Sequence, residues 1–222
     1  MDFVRPVEAV IPGAQGRILS VLVGITAPLN LRTLARLAGV SPAQASRVMP
    51  ALVDLGVVER YEVPPSSQFL LARSNVAAQA VIELFRSPET ASERIGLAAA
   101  AMAIPPESVI IFGSFARGEA GVDSDIDVVV VRPDSIDEDD DDWATTLEAW
   151  RDEARAITGN TVEVVEVSLS DAGLKLRRKT EFWSNVRRDG VVIHGLSIDW
   201  VAEAVRGVHR DSPCESDSDT PH

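Results

Sequence analysis

The chain is poor in cysteine and histidine. Its one cysteine, Cys214, lies in a polar tail, so neither an intrachain disulfide nor a cysteine-built zinc site is available. His194, His209 and His222 are scattered: His194 ends an apolar strand and the others lie in the tail, which leaves zinc chemistry without a ligand cluster. No uninterrupted apolar run approaches the ~18 residues of a membrane span, no basic-plus-apolar leader opens the chain, and internal repeats are absent. A cytoplasmic protein with no membrane contact is expected. Positive charge is also short. The net charge is −13, but residues 1–73 hold seven arginines against five acids, a balance of +2, which leaves −15 for the rest. Much of that sits between Asp134 and Asp142 and in the tail. With 222 residues and 45% apolar content, the chain is long enough for two domains with ordinary cores.

What is present centres on residues 113–127, Gly-Ser-Phe-Ala-Arg-Gly-Glu-Ala-Gly-Val-Asp-Ser-Asp-Ile-Asp. The segment follows one apolar run, Val109 to Phe112, and opens a second, Val128 to Val131. Gly113 gives the backbone conformational freedom and allows close approach of a ligand. Ser114 is placed to cap a short helix, whose free N–H groups would form an anion site. On a strand, Asp125 and Asp127 project to one side and Ile126 to the other. Two carboxylates about 7 Å apart repel unless a cation lies between them. Mg²⁺ prefers a few carboxylates plus substrate phosphates, so the pair looks like half of a metal site whose other half is a nucleotide. The acidity of the surrounding domain is no contradiction, because only the local field acts on the phosphates.

Gly113-Ser114, Arg117-Gly118 and Ser124-Asp125-Ile126-Asp127 resemble the signature of the DNA polymerase β-like nucleotidyltransferases, in the minimal nucleotidyltransferase subgroup. The resemblance covers roughly residues 90 to 200. It implies that Asp125 and Asp127 bind two Mg²⁺, that Gly113 and Ser114 seat the nucleotide phosphates with Arg117 neutralising charge, and that a third carboxylate completes the site. The strand Thr161 to Val167 offers Glu163 and Glu166, which alternation sends to opposite faces. The family pattern of hydrophobic, acid and two hydrophobics fits Val162-Glu163-Val164-Val165, so Glu163 is expected, although the family more often has Asp there. Glu166 is expected at a solvent-facing strand end. The implied substrate is an NTP, with ATP the expected donor. Members of the subgroup often pair with HEPN-domain proteins in toxin–antitoxin systems and nucleotidylate a tyrosine; others modify tRNA ends or aminoglycosides. Protein, tRNA and small-molecule acceptors all stay open.

Residues 15–71 form a second pattern. Gln15 to Gly24 and Asn30 to Ala38 read as helices, the latter stopped by Gly39. Ser41-Pro42-Ala43-Gln44 is a helix start with N-cap, first-turn proline and capping box. Pro50 inside that helix predicts a kink or early end. Leu55 to Tyr61 and Gln68 to Leu71 read as strands around Pro64-Pro65-Ser66-Ser67. The unit resembles a winged helix-turn-helix domain. That resemblance implies DNA contact through residues 30–71, with Gln44, Ser46 and Arg47 toward the major groove and Arg32 and Arg36 on phosphates, and it implies a homodimer as the common DNA-binding form. Ala45, Val48 and Leu52 would face the core.

Ser74 to Phe85 is an amphipathic helix, Ser87-Pro88 breaks it, and a further helix runs from Ala91 to Ala103. Asp137 to Asp142 reads as a solvated loop and first turn of a helix over residues 143–157. Leu174 to Lys179 gives a basic helix patch, and a short helix is expected after Ser197. The fold expected is α/β (α+β): a winged helix-turn-helix domain over 1–86, a nucleotidyltransferase domain over 87–207 with a mixed sheet flanked by helices, and a disordered tail over 208–222. Two rival readings make the second domain a nucleotide sensor in a transcription regulator, or the first domain a grip on RNA.

Overall fold

The computed structural model describes residues 1–178 and 180–204. Lys179 of the basic patch, Cys214, His209, His222 and the expected tail lie outside the described residues. The chain divides into two compact units. The first comprises Met1–Glu93, Gly118–Ser124 and Thr158–Asn160; the second comprises Arg94–Arg117, Asp125–Ile157 and the chain from Thr161.

The first unit contains α1 (Pro6–Val10), α2 (Ala14–Val23), β1 (Leu29–Asn30), α3 (Leu31–Leu37), α4 (Pro42–Asp54), β2 (Val58–Val63), β3 (Ser66–Leu71) and α5 (Val76–Phe85). Its strands form an antiparallel sheet in the order β1-β3-β2. The helices bury one apolar face each. Ile18, Leu19, Leu22 and Val23 of α2 meet Leu34 and Ala35 of α3, Ala45, Met49 and Leu52 of α4, and Phe69 and Leu71 of β3 in one core. Start signals operate as the side-chain chemistry dictates: Asn30, Ser41 and Asn75 each accept a backbone N–H in the first turn of the helix they precede. Ser41 and Gln44 form the full capping box.

Pro50 does not end α4, which runs on to Asp54. Removing the Pro50 N–H leaves the Ser46 carbonyl without its helical partner, but both residues are exposed, so water can serve that carbonyl. Buried Met49 and Leu52 hold the helix to the core on either side of the break in the ladder. Asn160 closes the small segments of this unit. Its Nδ2 lies 2.9 Å from the Ser124 carbonyl and 3.3 Å from those of Gly121 and Val122, fixing the loop just ahead of Asp125.

The helix α6 (Ser87–Ala100) follows α5 after a single residue. Ser87-Pro88 therefore begins a helix as well as ending one, as suits a proline in a first turn. The second unit continues with β4 (Ser108–Phe112), α7 (Gly113–Ala116), β5 (Ile126–Arg132), α8 (Asp141–Thr158), β6 (Val162–Ser168), α9 (Leu169–Arg177), α10 (Glu181–Asp189), β7 (Val191–Gly195) and α11 (Ile198–Glu203). Asp141 and Asp142 stand in the first turn of α8, where the helix dipole favours them. The sheet order is β6-β5-β4-β7 and the sheet is mixed: β5 runs antiparallel to β4 and parallel to β6. Central β5 is buried along nearly its whole length, which explains why Val128 to Val131 read as a continuous apolar run rather than an alternation. One face carries Ile110, Val129, Val131 and Val167 against Leu176 of α9, Trp183 and Val186 of α10 and Val201 of α11. Among the described residues no helix is long and apolar enough to cross a membrane.

Candidate active site

Three strands set the site. Phe112, the last residue of β4, is the register partner of Asp127 on β5, and Asp127 is in turn the partner of Glu163 on β6. Residues paired across strands share a face, so Asp127 and Glu163 stand side by side. Asp125 is exposed, one residue before β5 begins. Half-buried Asp127 has its pKa raised, first by loss of water and then by the negative charges of Asp125 and Glu163, while Arg117 opposes the rise. Three acids are thus close enough to feel one another, and a cation would relieve them.

Gly113 enters this arrangement as a surface. It has φ +71, and a Cβ placed there would lie 2.2 Å from Oδ2 of Asp127. The carboxylate rests where any other side chain would begin. Ser114 is not the helix cap. Phe112, in extended conformation, holds the N-cap position of α7, and no side chain caps the turn. An N-cap must have non-helical φ and ψ, and Ser114 is already inside the helix.

Glu166 has a different partner. Its Oε1 accepts a hydrogen bond from Arg132 Nε at 2.7 Å, and Arg132 is only 7% exposed. Alternation separates it from Glu163, and the ion pair occupies it. Among the described residues no three acidic, histidine or cysteine side chains enclose an ion by themselves. The donors that Asp125, Asp127 and Glu163 could offer are all carboxylate oxygens, the type Mg²⁺ prefers.

Arg117, 41% exposed at the end of α7, donates from Nη1 toward Oδ2 of Asp189 at 3.4 Å. Asp189 also accepts from Arg188 Nε at 2.7 Å and Nη2 at 2.8 Å. These bonds, Arg188 first, hold its carboxyl below the usual range despite the opposing loss of water. Asp189 and Arg188 were not apparent as site residues in sequence, because the signature ends long before them and only α10 returns them to the turn. Phe182 meets Phe112 edge-on at 5.2 Å, an aromatic contact on the site's flank.

In the first unit Arg32, Arg36, Gln44, Ser46 and Arg47 are all exposed. Arg32, Arg36 and Arg47 make no ion pair among the described residues, whereas Arg73 is spent on the Val23 carbonyl at 2.7 Å and Arg60 on Glu62 at 2.8 Å. Gln44 is partly committed, since its Oε1 accepts the Ser41 N–H at 2.9 Å and only its amide nitrogen is left for another partner. Met49, not singled out in sequence, joins Ala45 and Leu52 in the core. An open groove of about 960 Å³ runs between α4 and the β2–β3 hairpin, with Arg32, Ser46, Pro50, Arg60 and Phe69 among its walls.

No curated protein matches the chain. A chain from a crystal structure of a toxin-antitoxin with AMP-PNP is 16% identical, aligned over 54% of this chain and 86% of its own, with a TM-score of 0.37, too low to carry an argument. Residues 101–189 match the nucleotidyltransferase domain family. That segment holds Gly113, Arg117, Asp125, Asp127, Glu163 and Asp189, and its match supports a transferase enzyme.

Proposed function

We propose that the protein is a Mg²⁺-dependent nucleotidyltransferase that moves a nucleoside monophosphate, AMP from ATP, onto a hydroxyl acceptor. The observation that carries the reading is the row of Asp127 and Glu163 on adjacent strands with Asp125 beside them and the Asp127 carboxylate seated on Gly113. Asp125, Asp127 and Glu163 are the residues that would hold two Mg²⁺ ions. When bound, these ions would neutralise phosphate charge and lower the pKa of the acceptor hydroxyl. The acceptor oxygen forms a bond to the α-phosphorus while the bond to the bridging oxygen breaks, and pyrophosphate leaves. Glu163 would bind the second ion or, alternatively, take the acceptor proton. Gly113 and Ser114 line the phosphate turn, and Arg117 supplies positive charge next to it.

The first unit serves as a winged helix-turn-helix domain that grips DNA. Arg32, Arg36 and Arg47 on α3 and α4, exposed and without an ion pair among the described residues, and the groove between helix and hairpin that Arg32 helps to line, support this reading. The protein then acts in the cytoplasm, with an acceptor that is a protein, a tRNA or a small molecule; a toxin–antitoxin partner is the protein acceptor that the family resemblance favours. A homodimer would place two such helices on one duplex.

The test is transfer from α-phosphate-radiolabelled ATP into a cell extract with Mg²⁺, with the Asp125→Ala/Asp127→Ala double variant as control. Label in wild type alone supports the transferase, and its appearance in the protein, RNA or small-molecule fraction names the acceptor class. Nucleotide binding without label from any of the NTPs, combined with an NTP-dependent shift of promoter DNA, would instead make the chain a nucleotide-sensing regulator. Binding to tRNA with no preference for duplex DNA would make the first unit an RNA grip.

A further inference from the structure

Of the three acids, Asp125 alone stands outside the strands. Asp127 is paired to both β4 and β6, and Glu163 to β5, but β5 begins only at Ile126. The loop that leads in gives little support of its own. Gly118, Glu119, Val122 and Asp123 are exposed, and of the loop residues Ala120 alone is fully buried. Two like charges so close push a loosely held carboxylate away, so something must hold Asp125 in line.

What holds it comes from the far end of α8. Gly159, with φ +73, ends that helix in the left-handed conformation. Asn160 follows and is 3% exposed. Its Nδ2 faces the carbonyls of Ser124 at 2.9 Å, Gly121 and Val122 at 3.3 Å and Met1 at 3.4 Å. A group surrounded by acceptors has to be the donor end of the amide. The carbonyl of the next residue, Thr161, accepts the Ile126 N–H at 2.8 Å. The Ser124 carbonyl and the Ile126 N–H belong to the two peptide units that flank the Asp125 Cα. Consecutive residues of one segment therefore hold both sides of Asp125, and two residues later that segment delivers Glu163 on β6. Ser124 tightens the turn from within: its N–H donates to the Gly121 carbonyl at 3.2 Å and its Oγ accepts the Gly121 N–H at 3.0 Å. Water could satisfy the carbonyls of a loop this exposed, but it could not fix their position.

We propose that Asn160 is a positioning residue for nucleotidyl transfer: its side-chain amide sets the Ser124–Asp125 peptide in place before metal or nucleotide arrives, so that the Asp125 carboxylate is aligned with Asp127. This rests on the transferase reading above and adds a residue outside the Gly-Ser and Asp-x-Asp motifs. Asn160 acts through backbone carbonyls and through Asp125. Partners that orient metal-binding side chains are typically worth about 10–100-fold in metal affinity or activity.

The experiment measures Mn²⁺ binding without nucleotide, from the electron paramagnetic resonance signal of the free ion, together with the Mg²⁺ dependence of label transfer from ATP and thermal unfolding. It compares wild type, Asn160→Ala, Asn160→Asp and Glu166→Gln. Asn160→Ala removes the donor and should raise both the Mn²⁺ Kd and the Mg²⁺ concentration for half-maximal transfer about tenfold. Asn160→Asp keeps size and shape but turns an oxygen onto the same carbonyls, and should lose at least as much; a space-filling role would leave it at wild type. Glu166→Gln lowers Tm by removing the partner of Arg132 and should keep both metal constants. Should neither Asn160 variant fold by circular dichroism, Ser124→Ala takes their place. It strips the side-chain acceptor from the Gly121 N–H in the turn that Asn160 holds and should weaken Mn²⁺ binding in the same direction; wild-type Mn²⁺ affinity there overturns the assignment. Wild-type metal constants in folded Asn160→Ala or Asn160→Asp, or an equal rise in Glu166→Gln, would overturn the role of Asn160 alone, as would a wild type that transfers label yet binds Mn²⁺ only with nucleotide present. A wild type that neither binds Mn²⁺ nor transfers label overturns that role and the transferase reading together.

Discussion

Gly113→Ala is the substitution that tests the site geometry most directly. The new Cβ would lie 2.2 Å from Oδ2 of Asp127 and 3.2 Å from its Cγ. Contacts below 3.0 Å do not occur, so the carboxylate must retreat by about 0.8 Å. Aspartate is short, and its backbone is fixed by pairing to both β4 and β6, so the retreat displaces the oxygen that defines the site. A displacement on the order of 1 Å at a reacting centre costs about 100-fold in rate. Alanine at φ +71 adds a backbone penalty of about 1–2 kcal/mol, which lowers Tm by about 2–8 °C for a chain of this size. Gly39→Ala is the matched control. Gly39 has φ +61, and a Cβ added there would meet nothing within 4 Å, so it bears the backbone penalty without the clash. Radiolabel transfer and thermal unfolding of the two variants separate the effects: similar Tm losses, with transfer lost only in Gly113→Ala. Wild-type transfer in a folded Gly113→Ala protein would refute the claim that the carboxylate position matters, and equal loss in both variants would trace the effect to general destabilisation.

Asp127→Asn should abolish transfer yet raise Tm at neutral pH. The raised pKa of Asp127 means that the folded state favours its protonated form, so its contribution to stability is complete below the unfolded pKa and is lost as pH rises through the folded one. Melting curves of variant and wild type should therefore converge as pH falls below about 4. Glu163→Gln should lose transfer with little change in Tm, whereas Glu166→Gln should keep transfer and lose about 1–3 kcal/mol, because it strips a charge partner from buried Arg132; the reverse pattern would exchange the roles of the two acids. Pro50→Ala should stabilise the first unit by about 2 kcal/mol in a thermal melt, restoring the hydrogen bond to the Ser46 carbonyl at a small cost in unfolded-chain entropy.

Much of this was legible in the chain because local chemistry decided it. Ser41, Pro42 and Gln44 specify the start of α4 whatever surrounds them, and the alternation of Glu163 and Glu166 follows from strand geometry alone. Errors arose where distant packing overrode a local rule. Pro50 argues for a kink or a stop when α4 is considered by itself, but the stop does not occur: α4 runs on to Asp54, with Met49 and Leu52 in the core. Ser114 has the chemistry of a cap, yet the entry of the chain from β4 gives that position to Phe112. The five-residue α1 and two-residue β1 carry too little periodicity to register. Asp189 lies far from the Gly-Ser motif in sequence, and only the return of α10 brings it to Arg117.

The mixed sheet also has a bearing on how the site comes into being. Asp127 meets Phe112 across a short connection that contains the Gly-Ser turn, but it meets Glu163 only after the full length of α8 has been traversed. Contacts between residues near in sequence form sooner than parallel pairings that must first close a long loop. The turn and its two aspartates should therefore assemble while the third acid is still absent, leaving an early intermediate that can attract a cation or a phosphate and cannot complete the chemistry. If Asp125 and Asp127 hold a metal ion as proposed, metal added during refolding should accelerate the docking of β6, and equal refolding rates with and without Mg²⁺ would refute that order of assembly.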